Sequence, residues 1–408
     1  MYRIGMRKFG SSSQTLIYDD QSQLDELTII NPKLTLEVNL AGSLELTIPP
    51  MHMAYNEITR LTTELIVYRT EKTEEYGAIT SEIWRGRVIM EDTDFQNNRI
   101  ITCEGEMAYF NDTIQPAYEY EDQTLYDFIN RVVINHNSKF TDIDLQFHLI
   151  DSHIPDLSLP YRATNYETTY SVLNAVLEDY GGIFAVYHSP INGVDTRCLE
   201  YYTDYHEYTE TREVRFGENL LDISKKFDLT EFATVIVPLG ARLEESEFDL
   251  LDQYLDISEV NGGSIYIINE QTCALYGRKE IVVRFEDITT AQNLYNKGLE
   301  YLNNIQYDSV EIEVSMLDLG IIDISQRCIN LLDRVHVVSE PHGLDTYYPV
   351  TKLDIPLNSP KDMVVTLNGY IAGTKYRSSK SKKKASDRIA STSAQLKRVE
   401  NRDGLMNI

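Results

Sequence analysis

The alternation of apolar and polar residues over the first hundred positions predicts a series of short β-strands. Residues 34–38 (LTLEV) and 44–48 (LELTI) place apolar side chains at every second position, the period of a strand with one buried face. Two longer alternating segments, residues 83–95 and 99–107, are separated by Gln96-Asn97-Asn98. These residue types tolerate turn dihedrals, so the pattern predicts a hairpin. Strands of this length and spacing favour a small barrel or sandwich.

Beyond about residue 114 the apolar spacing becomes helical. Residues 125–133 predict one amphipathic helix. A second is predicted to begin at the capping box formed by Thr164 and Glu167 and to end at Gly181-Gly182, because glycine adopts the left-handed conformation at low cost. With the two strand patterns that follow, residues 114–215 are predicted to form a small α+β unit.

Strand patterns return after this unit and are interrupted once. Segments 214–216 and 233–239 are followed by an acidic, glycine-containing stretch and then by a helix predicted to begin at Asp287. The clearest strand of the chain is 310–316, where Val, Ile, Val and Met alternate with polar residues. Three further strands are predicted between residues 334 and 367.

The composition changes abruptly after Gly373. Residues 378–384 (SSKSKKK) have the character of a solvated basic linker. A short helix is then predicted, with four residues at the 3-4-3 spacing of a coiled-coil stripe: Ile389, Thr392, Leu396 and Val399. Two heptads are too few to be stable alone, so this helix is expected to associate with copies of itself. Binding of the basic tail to DNA or to an anionic membrane is the alternative.

Charge separates this tail from the rest of the chain. The net charge is −27, but residues 375–408 contain ten Lys/Arg and three Asp/Glu, so residues 1–374 contain the other 27 basic and 61 acidic residues. Such a body repels nucleic acid, because phosphate binding needs Lys and Arg. An acidic wall would let DNA pass without binding it. Charge that serves only solubility is the simpler interpretation.

Length and cysteine usage bound the class of protein. A chain of 408 residues predicts two to four domains. The four cysteines lie far apart without a C-x-x-C pattern, which predicts free thiols in a reducing cytoplasm. The 28 tyrosines favour strands and wet interfaces, with a tyrosine-lined sugar groove as the alternative.

Motifs of enzymes and metal sites are not found in the sequence. It has no G-x-S-x-G, P-loop, dinucleotide-binding or H-E-x-x-H motif. His148 and His153 are interpreted as core or surface residues rather than ligands, and the carboxylates of 244–259 do not have EF-hand spacing. Paired carboxylates are frequent in so acidic a chain, and a glycosidase needs two that face each other across a cleft. We therefore predict no catalytic, cofactor-binding or metal-binding residues.

Residues 84–112 resemble a known family. Trp84-Arg85-Gly86-Arg87-Val88, followed by the segment 103–112 (CEGEMAYFND), is similar to the N-terminal hub region of siphophage tail-associated lysins, also called prophage endopeptidase tail proteins. Three later segments agree in the same order, 234–241 (TVIVPLGA), 260–267 (VNGGSIYI) and 332–337 (LDRVHV). The resemblance extends over residues 1–373.

This resemblance implies the fold of a phage baseplate hub, a β-rich α+β protein with two small antiparallel β-barrels and α+β insertions. The implied domains are listed in chain order: 1–113, first barrel; 114–215, α+β insertion; 216–240 with 308–373, second barrel; 241–307, α+β insertion; 374–408, basic linker and coiled-coil-like helix. The combination of 216–240 with 308–373 rests on the resemblance alone. Family members often carry a C-terminal lytic domain, and we expect the residues after Gly373 to be too few for one. Either the natural protein ends there or a longer C-terminus follows this sequence.

The function implied is structural. Three copies would form a ring that closes the distal end of a siphophage tail tube and opens for DNA ejection, with Ile389, Thr392, Leu396 and Val399 near the trimer axis. The expected partners are the distal tail protein ring, the tape-measure protein and receptor-binding or tail-fibre components, with DNA passing unbound and without a membrane. The protein would be assembled in the host cytoplasm and lie at the distal tip of the virion tail. The alternatives are a cell-wall peptidase or glycosidase, a carbohydrate-binding adhesin, and the hub of a contractile phage or related injection machine.

Overall fold

A computed structural model describes most of the chain in 21 strands and four α-helices. The described residues are 1–22, 24–73, 77–202, 211–227, 232–243, 253–285, 288–307, 310–316, 318, 320 and 327–368. The predicted axial helix with Ile389, Thr392, Leu396 and Val399 and the acidic segment 244–252 lie outside them. In the described residues, no helix is both long and apolar enough to cross a membrane.

The strands and helices have the following bounds. The strands before residue 130 are β1 (Tyr2–Lys8), β2 (Gln14–Asp19), β3 (Ile30–Glu37), β4 (Ser43–Ile48), β5 (Thr63–Thr73), β6 (Gly77–Thr93), β7 (Arg99–Gly105) and β8 (Tyr118–Thr124). Those that follow are β9 (His148–Ile150), β10 (Ser158–Thr164), β11 (Ile183–Ile191), β12 (Val194–Tyr202), β13 (Thr211–Arg215), β14 (Leu220–Phe227) and β15 (Val235–Leu239). The remaining strands are β16 (Ile267–Ile268), β17 (Glu280–Arg284), β18 (Val310–Met316), β19 (Arg334–Ser339), β20 (Leu344–Pro356) and β21 (Val364–Asn368). The helices are α1 (Leu125–Asn137), α2 (Thr169–Tyr180), α3 (Glu270–Tyr276) and α4 (Ala291–Tyr307).

One sheet of thirteen strands joins the N-terminal and C-terminal parts of the chain. Its main path is β14-β18-β21-β20-β3-β4-β7-β6-β5-β1-β2, and β19 extends it by pairing with β20 and β13. The connection between the two halves is the antiparallel pair β20–β3, where Leu353 lies opposite Leu36. A single apolar core follows the sheet through both halves. The mostly antiparallel sheet with few helices confirms the predicted β-rich α+β class. The N-terminal and C-terminal strands belong to one sheet because β3 pairs with β20.

The hairpin and the first helix form where the sequence predicts them. β6 and β7 are antiparallel neighbours, and Asn97 in their turn has φ +62°. In α1 the predicted apolar positions are buried, and Thr124 caps its N-terminus by accepting a hydrogen bond from the Asp127 amide. The core around α1, α2 and the sheet β11-β12-β9 is a second apolar cluster, which lies within residues 107–201.

The second helix begins later than the capping box predicts. Thr168, not Thr164, is its N-cap and accepts from the Ser171 amide. Thr164 instead ends β10 and donates its hydroxyl to the Pro116 carbonyl oxygen, so this hydroxyl is used between segments rather than in a helix cap. The predicted end is confirmed, since Gly181 has φ +72°.

A third cluster gathers the elements around β15. This strand pairs with β16 and β17 in a separate sheet, and α4 packs on that sheet through Leu294 and Leu302. Within the predicted part 216–240 of the second barrel, β14 pairs with β18 of the main sheet, whereas Val235–Leu239 pairs with β17 in the separate sheet. Sequence neighbours on either side of residues 228–231 thus enter different sheets.

Candidate functional site

A buried ion network lies where the first strands meet the inserted unit 114–215. Glu64 of β5 is fully buried, and its carboxylate accepts hydrogen bonds from Arg7 of β1 (Nε–Oε2 3.0 Å) and from Arg197 of β12 (Nη2–Oε1 2.9 Å). Burial raises the pKa of Glu64 above its usual value, and the two arginines only partly oppose this effect. The buried carboxylate of Glu64 is thus bonded to one arginine from the first strands and to one arginine from the inserted unit 114–215.

Glu106 is the second buried carboxylate of the network. Its Oε1 atom accepts from Arg197 Nε at 2.6 Å and lies 2.8 Å from Nε2 of His188 in β11. Burial alone would raise the pKa of Glu106, but Arg197 and His188 lower it to about 2. The carboxylate is therefore ionised at neutral pH and is bonded to two residues of the inserted unit.

Further contacts across the junction come from the outer part of the network. Arg85 of β6 bonds to Glu82 (Nη2–Oε2 2.7 Å) and reaches Asp195 of the inserted unit at 3.4 Å. Asp144 lies 3.3 Å from Arg7, and it accepts the backbone amide of Gly10 at 2.7 Å. The network therefore joins strands β1, β5 and β6 to the inserted unit through many charge-assisted bonds.

Tyr109 lies between two arginines of this network. The guanidinium carbons of Arg87 and Arg197 lie 4.6 and 5.0 Å from its ring centroid, within cation–π range. Its hydroxyl is buried and has no hydrogen-bond partner among the described residues. Arg87 also bonds to Glu104 and Asp112, at 2.7 and 2.8 Å from Nη2.

The family-like segments supply much of this site. Arg85, Arg87, Glu106 and Tyr109 all belong to residues 84–112, so the resemblance pointed to residues of the network without revealing their contacts. The buried ion network is not evident from the sequence alone. The available signal was charged residues beside glycine inside an otherwise apolar strand, an arrangement that exposed strands also show.

The glycines of these segments permit close packing. Gly86 and Gly105 are partners across β6 and β7. A Cβ atom on Gly86 would overlap the Glu104 carbonyl oxygen and the Trp84 ring, and one on Gly105 would overlap the Ala41 carbonyl oxygen. The Trp84 indole, which donates to the Ala41 carbonyl at 3.2 Å, can therefore lie against the backbone.

A cavity of about 1090 Å³ adjoins the network. It lies between the β3–β4 turn, the beginning of β6, strand β11 and residues 327–332, and Trp84, Phe184 and Tyr187 contribute aromatic surface. Glu82 and Glu106 also line it. A glycosidase pair needs one protonated carboxyl group, but Glu82 is paired with Arg85 and the low pKa of Glu106 leaves it no proton to donate at neutral pH.

Ser152, His153 and Glu200 form a group that superficially resembles a catalytic triad. The Ser152 hydroxyl lies 3.1 Å from His153 Nδ1, and Glu200 Oε1 lies 2.6 Å from the same nitrogen. A triad requires the hydroxyl and the carboxylate at opposite ring nitrogens. This imidazole therefore does not relay a proton between them. Across the described ranges, no three His, Cys, Asp or Glu side chains are grouped as metal ligands.

The fold is that of phage tail proteins. A prophage tail protein from Listeria monocytogenes EGD-e matches at 15% identity over 90% of this chain and 94% of that chain, with a TM-score of 0.54. The 43 kDa tail protein of prophage MuSo2 from Shewanella oneidensis matches at 9% identity over 91% and 98%, with a TM-score of 0.57. A tail protein from Neisseria meningitidis MC58 matches at 11% identity over 92% and 98%, with a TM-score of 0.58.

The sequence gives a more specific match over part of the chain. Residues 207–371 match the family model described as prophage endopeptidase tail. A comparison with curated proteins gives no match. The partial family match and the shared fold confirm the resemblance inferred from the sequence: the chain has the fold of phage tail proteins, and residues 207–371 are similar to prophage endopeptidase tail proteins.

Proposed function

We propose that the chain is the homotrimeric hub that closes the distal end of a siphophage tail tube and opens for DNA ejection. The observation that supports this role best is the buried ion network, which fixes the inserted unit on a sheet that runs through both halves of the chain. Such construction suits a part that must keep its shape under load. A structural role without catalysis belongs to the same proposal.

The main sheet and the inserted units would have different roles in the ring. Residues 1–113 and 308–373, with β14, would form the ring wall, while 114–215 and 241–307 would project from it. Segment 374–408, with Ile389, Thr392, Leu396 and Val399, would gather three copies near the axis. The acidic body, with 61 acidic and 27 basic residues in 1–374, would repel DNA and let it pass, since phosphate binding needs an excess of Lys and Arg.

The partners proposed are the distal tail protein ring on one side and the tape-measure protein within the tube. Receptor-binding or tail-fibre components would attach at the tip, in the virion. These assignments rest on the tail-protein class and on the resemblance.

Mass in solution tests the proposal directly. Multi-angle light scattering of the full chain should give three protomers, alone or with the distal tail protein added, and negative-stain images should show a ring. A chain that stays monomeric under both conditions contradicts the hub. Clearing of purified host cell walls that is lost on a single carboxylate substitution would instead favour the enzyme alternative.

A further inference from the structure

The turn between β6 and β7 presents a fully exposed aromatic side chain. Phe95 is 100% exposed at its tip. The turn is held by Asp94, whose carboxylate accepts from the amides of Gln96 and Asn98 at 2.8 Å each, and by Asn97 in the left-handed conformation. These bonds order the backbone in advance, which lowers the entropic cost of binding through Phe95.

The turn is also anchored to the loop that follows β4. Tyr55 donates its hydroxyl to the Asn97 carbonyl at 2.7 Å. Arg99 donates to the Ile58 carbonyl at 2.9 Å and pairs with Glu91 at 2.8 Å. Phe95 is therefore displayed on a fixed support, as is typical of an aromatic residue that anchors a protein interface.

Other exposed apolar side chains lie in the same hairpin and in the loop to which its turn is anchored. Met51 (86% exposed) and Met53 lie in the anchored loop, and Met90 and Ile100 are diagonal neighbours on the outer face of the hairpin. Together with Phe95 these residues expose surface on the order of 600 Å², which is close to the ~800 Å² that each partner contributes to a stable interface. Exposed apolar patches of this size are often functional.

The cavity next to the ion network lies at the other end of the same strand. Ile79 and Ile83 near the start of β6 line it, whereas Phe95 follows the end of β6. Twelve to sixteen residues of extended chain place the two features roughly 40–50 Å apart. Ile79 and Tyr187 are partly exposed at the cavity, so its apolar lining is accessible to a side chain from outside.

We propose that Phe95 of one copy inserts into this cavity of the next copy. The chain then carries two different, complementary surfaces at opposite ends, which is the requirement for a head-to-tail contact that closes into a ring. The inference rests on the proposed trimeric hub and adds to it the pair of surfaces that join the copies. The cavity volume of about 1090 Å³ accommodates the aromatic ring together with the neighbouring turn residues.

Disulfide cross-linking tests the contact in the full-length chain. The substitutions Phe95→Cys and Ile79→Cys are combined in a Cys273→Ser background, because the other three native cysteines are buried. Oxidation should convert the double variant to a covalent trimer on a non-reducing gel, while each single-cysteine variant stays a monomer. A dimer from Phe95→Cys alone would show two tips in contact and would overturn the proposal.

Affinity gives a second, independent measurement. Phe95→Ser should raise the dissociation constant of the trimer at least about 30-fold, the effect of losing a central aromatic anchor. Tyr166→Ser is the matched control, since Tyr166 is an exposed aromatic residue of the inserted unit, and it should leave the constant unchanged. Phe95 makes no buried contact that folding requires, so a loss of assembly cannot be attributed to misfolding.

The outcomes distinguish this contact from the hub itself. A trimeric chain that shows neither the cross-link nor the effect of Phe95→Ser overturns the contact and leaves the hub in place. A monomeric chain without the cross-link overturns both. Cross-linked chains longer than three copies support the contact and contradict a closed ring of three.

Discussion

Replacing Arg197 with methionine removes the cation that lies between two buried carboxylates. Arg197 is 3% exposed, and its guanidinium bonds to Glu64 and Glu106 at 2.9 and 2.6 Å. Methionine has a similar length and fills much of the same space, so the change acts on charge more than on packing. Two carboxylates then stay buried. Glu64 keeps Arg7 and, at 3.9 Å, Arg85 as partners, and Glu106 keeps His188.

The expected cost is about 3–5 kcal/mol in the free energy of unfolding, the range for removing one partner of a buried ion pair. This is a large share of the 5–15 kcal/mol that stabilises a typical folded protein. The pKa of Glu64 is already raised by burial, and loss of Arg197 raises it further. Because protonation removes the unpaired charge, the deficit of the variant should be smaller at pH 5 than at pH 8.

Urea denaturation followed by the fluorescence of Trp84 measures the effect. Trp84 is the single tryptophan of the chain and lies beside the junction. The control is Arg3→Met, which breaks the partly exposed pair with Asp19 and should cost at most about 1 kcal/mol. A loss below about 1 kcal/mol for Arg197→Met, or one that is the same at both pH values, would refute the network as the element that joins the inserted unit to the sheet.

Four further substitutions test other contacts. The pKa of Glu106 is lowered to about 2, so its contribution to stability is present above about pH 4.5 and is lost towards pH 2. A Glu106→Gln variant should lack this acid-dependent component when urea denaturation is measured over that pH range. An unchanged pH profile would contradict the assignment. Burial lowers the pKa of His136 to about 4, so the free energy of unfolding should fall by roughly 2–3 kcal/mol between pH 6.5 and pH 4. This fall should be absent in His136→Gln. An NMR titration of the imidazole with a midpoint near 6.5 would contradict the prediction. Gly86→Ala should lower the melting temperature, because the new Cβ atom would overlap the backbone carbonyl oxygen of Glu104. In the control Gly5→Ala, the Cβ atom meets only the flexible Gln14 side chain, so the melting temperature should change little. Equal shifts in the two variants would count against close packing at Gly86. Tyr109→Phe removes a buried hydroxyl that has no partner among the described residues, so the free energy of unfolding should stay constant or rise, and a fall would indicate that an internal water is bound there.

Local patterns were sufficient to predict most of the individual elements. The β6–β7 hairpin, helix α1, the end of α2 and strand β18 all lie where periodicity and turn residues place them. These features depend on side chains within a few positions of each other. The start of α2 was misplaced, because the hydroxyl of Thr164 bonds to Pro116, 48 residues away, and this competitor has no signature near the predicted cap.

The ion network was not predictable for a related reason. Glu64 directly precedes the apolar run Leu65–Tyr68 of β5, and a lone carboxylate at the start of a strand is ordinarily assigned to the side that faces water. In the structure this side faces Arg197, 133 residues later, in the inserted unit. A polar residue that faces water and one that faces a buried cation have the same local pattern.

The sequence by itself determined the β-rich class, the strands and helices of the hairpin and of the inserted unit, and the likeness to tail proteins. Only the tertiary structure decided that β3 pairs with β20, that Val235–Leu239 leaves the main sheet, and that Glu64 and Glu106 meet Arg197. The physical reason is the range of the interactions. Periodicity and capping act within a turn or a strand, whereas strand partners and buried charges are selected by the packing of segments that lie far apart in the sequence.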